Sequence, residues 1–596
     1  MQKLLLVIVA LIFSLSAVLS QKTISITDLG YEQGSRRNVV PFVNEAIKQC
    51  ATDESVTIIF PKGRYDFWQD FSSRSRFSVG IDMDSLTNVT VDGAGSEFIF
   101  HGNMQVVRMN NCENIELKNF SVDWDQPFMY QGQYLNVTDD YIELTFDDEY
   151  RYVIENERFF LTGEGWKATP TGYFDLFDRD TKEIIYKTHD ANNNLLFTSK
   201  AEEIAPGIVR FYGTPNIRPP KGTYTVLMAG TYMTLGIGIT YSKDIYLKDI
   251  TIYHALSHGV YANRTENLTM ENTSTTINEK KGRVFSVIAD ASHFPNNKGL
   301  IKVINCAHTG AMDDFINVYG VYAVIDSTGN DWVIASNVRG NVAPGEEVWF
   351  VNDQYQRSSE IFVIKTADRL SERIFKFTFD KPLPKDISKG CKVENKTWTA
   401  GVEIRNCKIL KHHRARGILV STPQKVIIED NYFNTAGAAI LIEGDMDIWY
   451  SSGGTTDVTI RNNIFDNCLT SGRITDNRWE WGDAIIAIEP FFRPKDEKAE
   501  PYHWNIRIEN NIFKTFDIPL VRAISAGGLV FRNNEIIRSY AYDPCLMQKT
   551  SFSLDGCRNV VISGNKIDNQ YVTRTIEAQN MRKSEINAVG FSLNFK

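Results

Sequence analysis

Two short segments hold the residues best suited to acid–base chemistry, Ile288-Ala289-Asp290-Ala291-Ser292-His293 and Met312-Asp313-Asp314-Phe315-Ile316. Three carboxylates brought into one pocket cannot all ionise without mutual repulsion, so at least one keeps its proton at neutral pH. An acid beside ionised carboxylates is what hydrolysis of a glycosidic bond with inversion requires. One group protonates the leaving oxygen while a carboxylate about 6.5–9.5 Å away deprotonates water on the other face of the sugar. On this reading Asp313 is the acid, and Asp290 and Asp314 orient and deprotonate the water. An isolated Asp-Asp pair also suits a turn cap or a cation site. What favours chemistry here is a third aspartate at a repeat spacing, and that depends on the fold.

The fold announces itself as a repeat. Short alternating strands end in asparagine or aspartate and resume with an apolar residue: Val402-Glu403-Ile404-Arg405-Asn406-Cys407, Val426-Ile427-Ile428-Glu429-Asp430-Asn431, Val458-Thr459-Ile460-Arg461-Asn462-Asn463 and Ile506-Arg507-Ile508-Glu509-Asn510-Asn511 are four of about ten copies. Uninterrupted neighbours recur at about 23 to 32 residues, which is one coil of a right-handed parallel β-helix. The apolar residues stack inward, and asparagine at the bend tolerates left-handed backbone while bonding to the next coil. Asp290 and Asp313 are one coil apart, so their rungs lie about 4.8 Å from each other. Side chains alternate along a strand, so both members of the Asp313-Asp314 pair face one groove only where the chain turns at a strand's start.

Two stretches break the rhythm, residues 129–233 and 319–398. Their apolar runs with Gly, Pro, Asn and Asp punctuation read as small antiparallel, barrel-like β modules inserted between coils, placed to wall a binding site. The expected organisation is therefore a signal peptide over 1–20, a cap and first coils over 21–128, the first module over 129–233, and the aspartate-bearing coils over 234–318. The second module over 319–398 and the last coils over 399–596 complete it. Asn38, Pro41, Phe42, Val43, Ala46 and Ile47 pattern a helix suited to covering the open end of the core.

The chain has 596 residues, 43% hydrophobic and 23% charged, with a net charge of -9 spread along its length. That excludes a disordered class and leaves no basic stripe for nucleic acid or cationic groove for a polyanionic glycan. Lys3, the apolar run from Leu4 and the small residues to Ser20 pattern a cleaved export signal without a lipoprotein cysteine, which implies a secreted or periplasmic protein. No later stretch is long and apolar enough for a membrane span. Cys112, Cys306 and Cys407 each follow an asparagine at equivalent repeat positions and read as buried thiols; histidine and cysteine spacing suggests no metal site and no cofactor.

These residues resemble glycoside hydrolase family 110, exo-acting α-1,3-galactosidases that remove terminal galactose from blood-group-B-type and related glycans. The likeness spans nearly the whole mature chain. It implies that the family's inverting aspartates, one and then an adjacent pair a coil later, correspond to Asp290, Asp313 and Asp314. The pair also resembles the polygalacturonase motif, but that family's Gly-His-Gly and Arg-Ile-Lys elements are missing. Arg414-Ala415-Arg416-Gly417-Ile418-Leu419 stands in that region, which favours a neutral sugar.

Galactose presents an axial hydroxyl and an apolar face. Arg416, Glu443 and Glu489 beside apolar strands are candidates for the hydroxyls, Trp479 and Trp481 for the platform, and His293 for orienting a neighbouring carboxylate. Asp123-Trp124-Asp125, at the entry to the first module, reads as structural. The competing functions are another β-helical hydrolase of polygalacturonase type, a calcium-dependent polysaccharide lyase with the aspartates as cation ligands, and a non-enzymatic glycan-binding solenoid. Oligomeric state is not encoded legibly.

Overall fold

The computed structural model describes residues 22–50, 55–73, 77–172, 175–190, 193–410, 413–472, 481–543 and 550–596. The expected signal peptide, 1–20, lies outside the described residues, and so does Trp479. No helix among the described residues is long and apolar enough to cross a membrane.

The molecule is a parallel β-helix. Two sheets run its length, one of 23 strands and one of 14. Register explains the stacking: Val56 pairs Val89, Val89 pairs Ile115, Ile115 pairs Ile245, and the column continues through Leu268, Ile301, Val402, Val426, Val458 and Ile506. All ten side chains are buried. Further along each coil Phe433, Phe465, Phe513 and Phe531 stack with ring centroids 5.1, 4.7 and 5.5 Å apart. The helix Val40–Lys48 covers the first end, burying Val43 and Ala46, with Asn38 Oδ1 accepting from the Val40 N–H.

The two consecutive residues at each bend divide the work. Asn406, Asp430, Asn462, Asn510 and Asn533 take the left-handed backbone conformation, which asparagine and aspartate tolerate best after glycine. The residue after each turns inward. Asn431, Asn463, Asn511, Asn534 and Asn565 form a ladder in which each Oδ1 from Asn463 onward accepts both the backbone N–H and the amide N–H of the asparagine one coil before, Asn431 on Asn463 at 3.0 Å each and Asn463 on Asn511 at 2.9 and 3.0 Å. Cys407 begins this ladder, its N–H donating to Asn431 Oδ1 at 2.8 Å. Cys112, Cys306 and Cys407 are all buried free thiols.

The irregular stretches are antiparallel. Between Met129 and Met228 lie a six-stranded sheet and a three-stranded sheet. Strands from Ala323 to Asn395 close into a six-stranded barrel around its own core of Ile325, Phe350, Phe377 and Phe379. The buried ion pair Arg264–Glu346, 2.8 Å, ties this barrel to the coils. Asp123 is buried against Arg283 at 2.6 Å and Lys281 at 2.8 Å, and Asp125 pairs Arg64.

Replacing Asn463 with Ala leaves the Asn431 N–H groups without their acceptor inside the core. Urea unfolding is expected to show a loss of about 1–3 kcal/mol, whereas Asn462→Gly, at an exposed left-handed position, is expected to change stability by less than about 0.5 kcal/mol; equal losses would contradict the division of roles.

Candidate active site

Catalytic placement follows from register. Val260 pairs Ser292, Ser292 pairs Ile316, and Ile316 pairs Ile418. Two residues upstream on each coil, that alignment stacks His258, Asp290, Asp314 and Arg416 in one column at the entry to the strands. Asp313 and Asp314 sit in the turn before the Ile316–Val321 strand, where both can face the groove. Oxygens of Asp290, Asp313 and Asp314 lie within 4.8 Å of one another.

Each carboxylate has a distinct partner. His293 Nδ1 is 2.5 Å from Asp290 Oδ2 and its Nε2 is 3.1 Å from the Tyr319 hydroxyl. His258 stacks on His293 with ring centroids 4.5 Å apart, its Nδ1 3.8 Å from the same Asp290 oxygen. Arg416 grips Asp314 three times, through its backbone N–H at 2.9 Å and its guanidinium at 3.0 and 3.1 Å. Asp313 meets Arg414 at 3.2 Å and is open to the pocket.

These surroundings separate the proton affinities. Burial pushes Asp313 upward, the neighbouring Asp314 pushes further, and the acid reaches about 8 despite Arg414. Burial also acts on Asp290, but the bond from His293 and the charges of His293, His258 and Arg416 outweigh it and hold Asp290 below the usual carboxylate range. Asp314 is raised by burial and by Asp290 against the opposing pull of Arg416. At neutral pH Asp313 is therefore the proton holder beside an ionised Asp290, the division that acid–base chemistry needs. The same oxygens are close enough to embrace a cation, and the guanidinium groups of Arg414 and Arg416 lie against two of the three carboxylates.

One pocket of about 310 Å³ gathers Asp290, His293, Asp313, Asp314, Arg416 and Glu443. Burial raises Glu443 to about 7 against the pull of Arg416. Glu489, in register with Glu443 one coil on, instead pairs Arg522 at 2.9 Å. Trp481 does not line the pocket. Its carbonyl accepts from the Ala438 N–H at 2.7 Å, which builds it into the coil, and its buried ring lies 5.5 Å beneath the Arg414 guanidinium.

Tyr232, Trp449 and Phe491, 62%, 64% and 50% exposed, rim the same pocket. Arg339, in the loop after the barrel strand Trp332–Ser336, also reaches it, and its buried Nε has no hydrogen-bond partner among the described residues. Extending the coil alignment one turn before Asp290 would have exposed His258. No periodic signal marks Trp449, Phe491 or Arg339.

A proton donor and an ionised carboxylate facing one partly open pocket are equipment for splitting an acetal, the chemistry of a glycoside hydrolase. Comparison with known proteins narrows this. Residues 130–225 match the family model of GLAA-B beta-barrel domain I, and residues 341–390 that of GLAA-B beta-barrel domain II. The chain is 36% identical to an alpha-1,3-galactosidase B of Bacteroides thetaiotaomicron, over 97% of this chain and 96% of that protein. It is 31% identical to an alpha-1,3-galactosidase A of Bacteroides fragilis over 96% and 97%, and 30% identical to one of Shewanella woodyi over 92% and 91%. The chain belongs to glycoside hydrolase family 110, the α-1,3-galactosidases.

The pH dependence of kcat/KM is expected to be bell-shaped. Asp313 must hold its proton, so activity falls as pH rises through about 8; the carboxylates must be ionised, so activity falls again as pH drops through the higher of their two values, that of Asp314. Arg416→Met removes the group opposing the upward shift of Asp314, and the acidic limb is expected to move to higher pH by on the order of one unit. An unmoved limb would show that Asp314 need not ionise.

Proposed function

We propose that the enzyme is exo-acting and inverting, removing terminal α-1,3-linked galactose from blood-group-B-type glycans and from linear α-galactosyl glycans. The observation that carries this reading is the opposed proton affinity of Asp313 and Asp290 within one pocket. A space of about 310 Å³ suits a single terminal sugar rather than a length of chain. Arg416, Glu443 and Arg339 surround it with groups for hydroxyls, and Trp449 and Phe491 offer a face for the apolar side of a ring.

In the proposed reaction Asp313 gives its proton to the leaving glycosidic oxygen while Asp290 and Asp314 take one from water. The nearest oxygens, within 4.8 Å, are closer than the separation expected from the sequence for an inverting pair, because all three aspartates lie on adjacent rungs. Separation alone therefore does not argue for inversion. Support comes from the family resemblance and from the geometry of water, since one molecule donating to two oxygens at about 2.8 Å spans acceptors about 4.5 Å apart. With oxygens within 4.8 Å of each other, Asp290 and Asp314 are close enough to share such a water. In this reading His293, whose Nδ1 lies 2.5 Å from Asp290 Oδ2, positions Asp290. The reading requires no metal, and it places the protein outside the cytoplasm, exported by residues 1–20.

Incubation with branched and linear terminal α-1,3-galactosides, followed by NMR from the first turnovers, is expected to show β-galactose before mutarotation and an unchanged rate with chelator; initial α-galactose would contradict inversion, and an unsaturated product lost on chelation would select a lyase. Asp313→Asn is expected to reduce kcat on these substrates by about 10²–10⁴-fold with the fold retained.

A further inference from the structure

Asp313 and Asp314 are consecutive and each faces an arginine, and burial raises the proton affinity of both, that of Asp313 to about 8. The arginines differ in what else they touch. Arg416 gives both branches of its guanidinium to Asp314. Arg414 reaches Asp313 with NH1 alone, at 3.2 Å, and the same nitrogen donates to the Met312 carbonyl at 2.8 Å. Its other two nitrogens are committed elsewhere, Nε to Asp190 Oδ1 at 2.7 Å and NH2 to Asp190 Oδ2 at 3.0 Å.

Asp190 belongs to the first inserted module, 224 residues before Arg414 in the chain. Asp175, from the same module, is fully buried close by, and neither of its carboxylate oxygens has a hydrogen-bond partner among the described residues. Burial, then the charge of Asp190, push Asp175 to about 7 against Arg414, so it carries part of a charge at neutral pH. The indole of Trp481 beneath the guanidinium completes the seat.

We propose that Asp190 and Arg414 are positioning residues through which the first inserted module decides that Asp313, rather than Asp314, is the proton donor. Asp190 takes up the charge of Arg414, so Asp313 lies against a nearly neutral pair, whereas Asp314 lies against a guanidinium that grips it directly. A proton on Asp313 is then the cheapest way to relieve three crowded carboxylates. The groups facing Asp313 are Asp314, Arg414, Asp290 and Arg416; those facing Arg414 are Asp190, Asp175 and Asp313. The module thus sets the acid as well as walling the pocket. The inference rests on Asp313 being the acid.

The sign of the effect tests it. In Asp190→Asn the amide can still bond to Arg414, but the arginine's charge is no longer balanced, so Asp313 loses its proton more readily. The basic limb of kcat/KM is expected to move to lower pH by on the order of one unit. Arg414→Gln removes the cation, and the same limb is expected to move to higher pH. A merely structural role lowers activity in both variants without opposite shifts; limbs that stay at the wild-type pH, or move together, would overturn the proposal. If one variant fails to fold by circular dichroism, the direction of the other decides by the same criterion.

Asp313→Asn, assayed on a natural α-1,3-galactoside and on 4-nitrophenyl α-galactoside, separates this from the assignment of the acid. Loss confined to the natural substrate, whose leaving oxygen needs a proton, identifies Asp313 as the donor; equal loss on both would remove the assignment on which the proposal stands.

Discussion

Parallel coils in register repeat every side chain about 4.8 Å further along the axis, and the active site is a consequence of that spacing. The rule that lines up Val56 to Ile506 in the core also lines up His258, Asp290, Asp314 and Arg416 at the groove. In the core, identical chemistry on successive turns is favourable because apolar surfaces stack. At the groove, acids on successive turns repel, and the column is tolerable because it is bounded by an imidazole on one side and a guanidinium on the other. The crowding that a solenoid imposes thus becomes the source of the retained proton.

What the solenoid cannot supply is asymmetry. Stacked turns offer near-equivalent positions, while hydrolysis requires neighbours to behave differently. The insertions introduce the difference: the first contributes Asp190 against Arg414, and the second contributes Arg339 to the pocket. Loops leaving the later coils add Trp449 and Phe491, exposed aromatics that no coil position could hold without burying them.

The legible part of the sequence was the periodic part. Asp290, Asp313, Asp314, His293, Arg416 and Glu443 sit in or just before coil strands, at positions that the register repeats from one coil to the next, and all six reach one pocket. Both insertions were visible as interruptions of the repeat, though not the difference between a closed barrel and a pair of sheets. Trp481 lies well before its strand, Ile486–Pro490, beyond the positions that the register fixes, and its ring packs inward under Arg414 instead of facing the groove. Trp449 and Arg339 are in irregular loops, whose side-chain directions depend on packing between distant segments. The nearest acid oxygens lie within 4.8 Å, closer than the about 6.5–9.5 Å of an inverting pair, because the three aspartates occupy neighbouring rungs.

The central claim, that one proton is held on Asp313 at neutral pH by its neighbours, is open to direct observation. In protein labelled with ¹³C at the aspartate carboxyl carbon, a pH titration followed by NMR should contain a carboxyl resonance that titrates near pH 8 and is missing from Asp313→Asn. A spectrum in which every aspartate other than Asp175 has ionised by pH 6, or in which the late-titrating signal survives that substitution, would contradict the account.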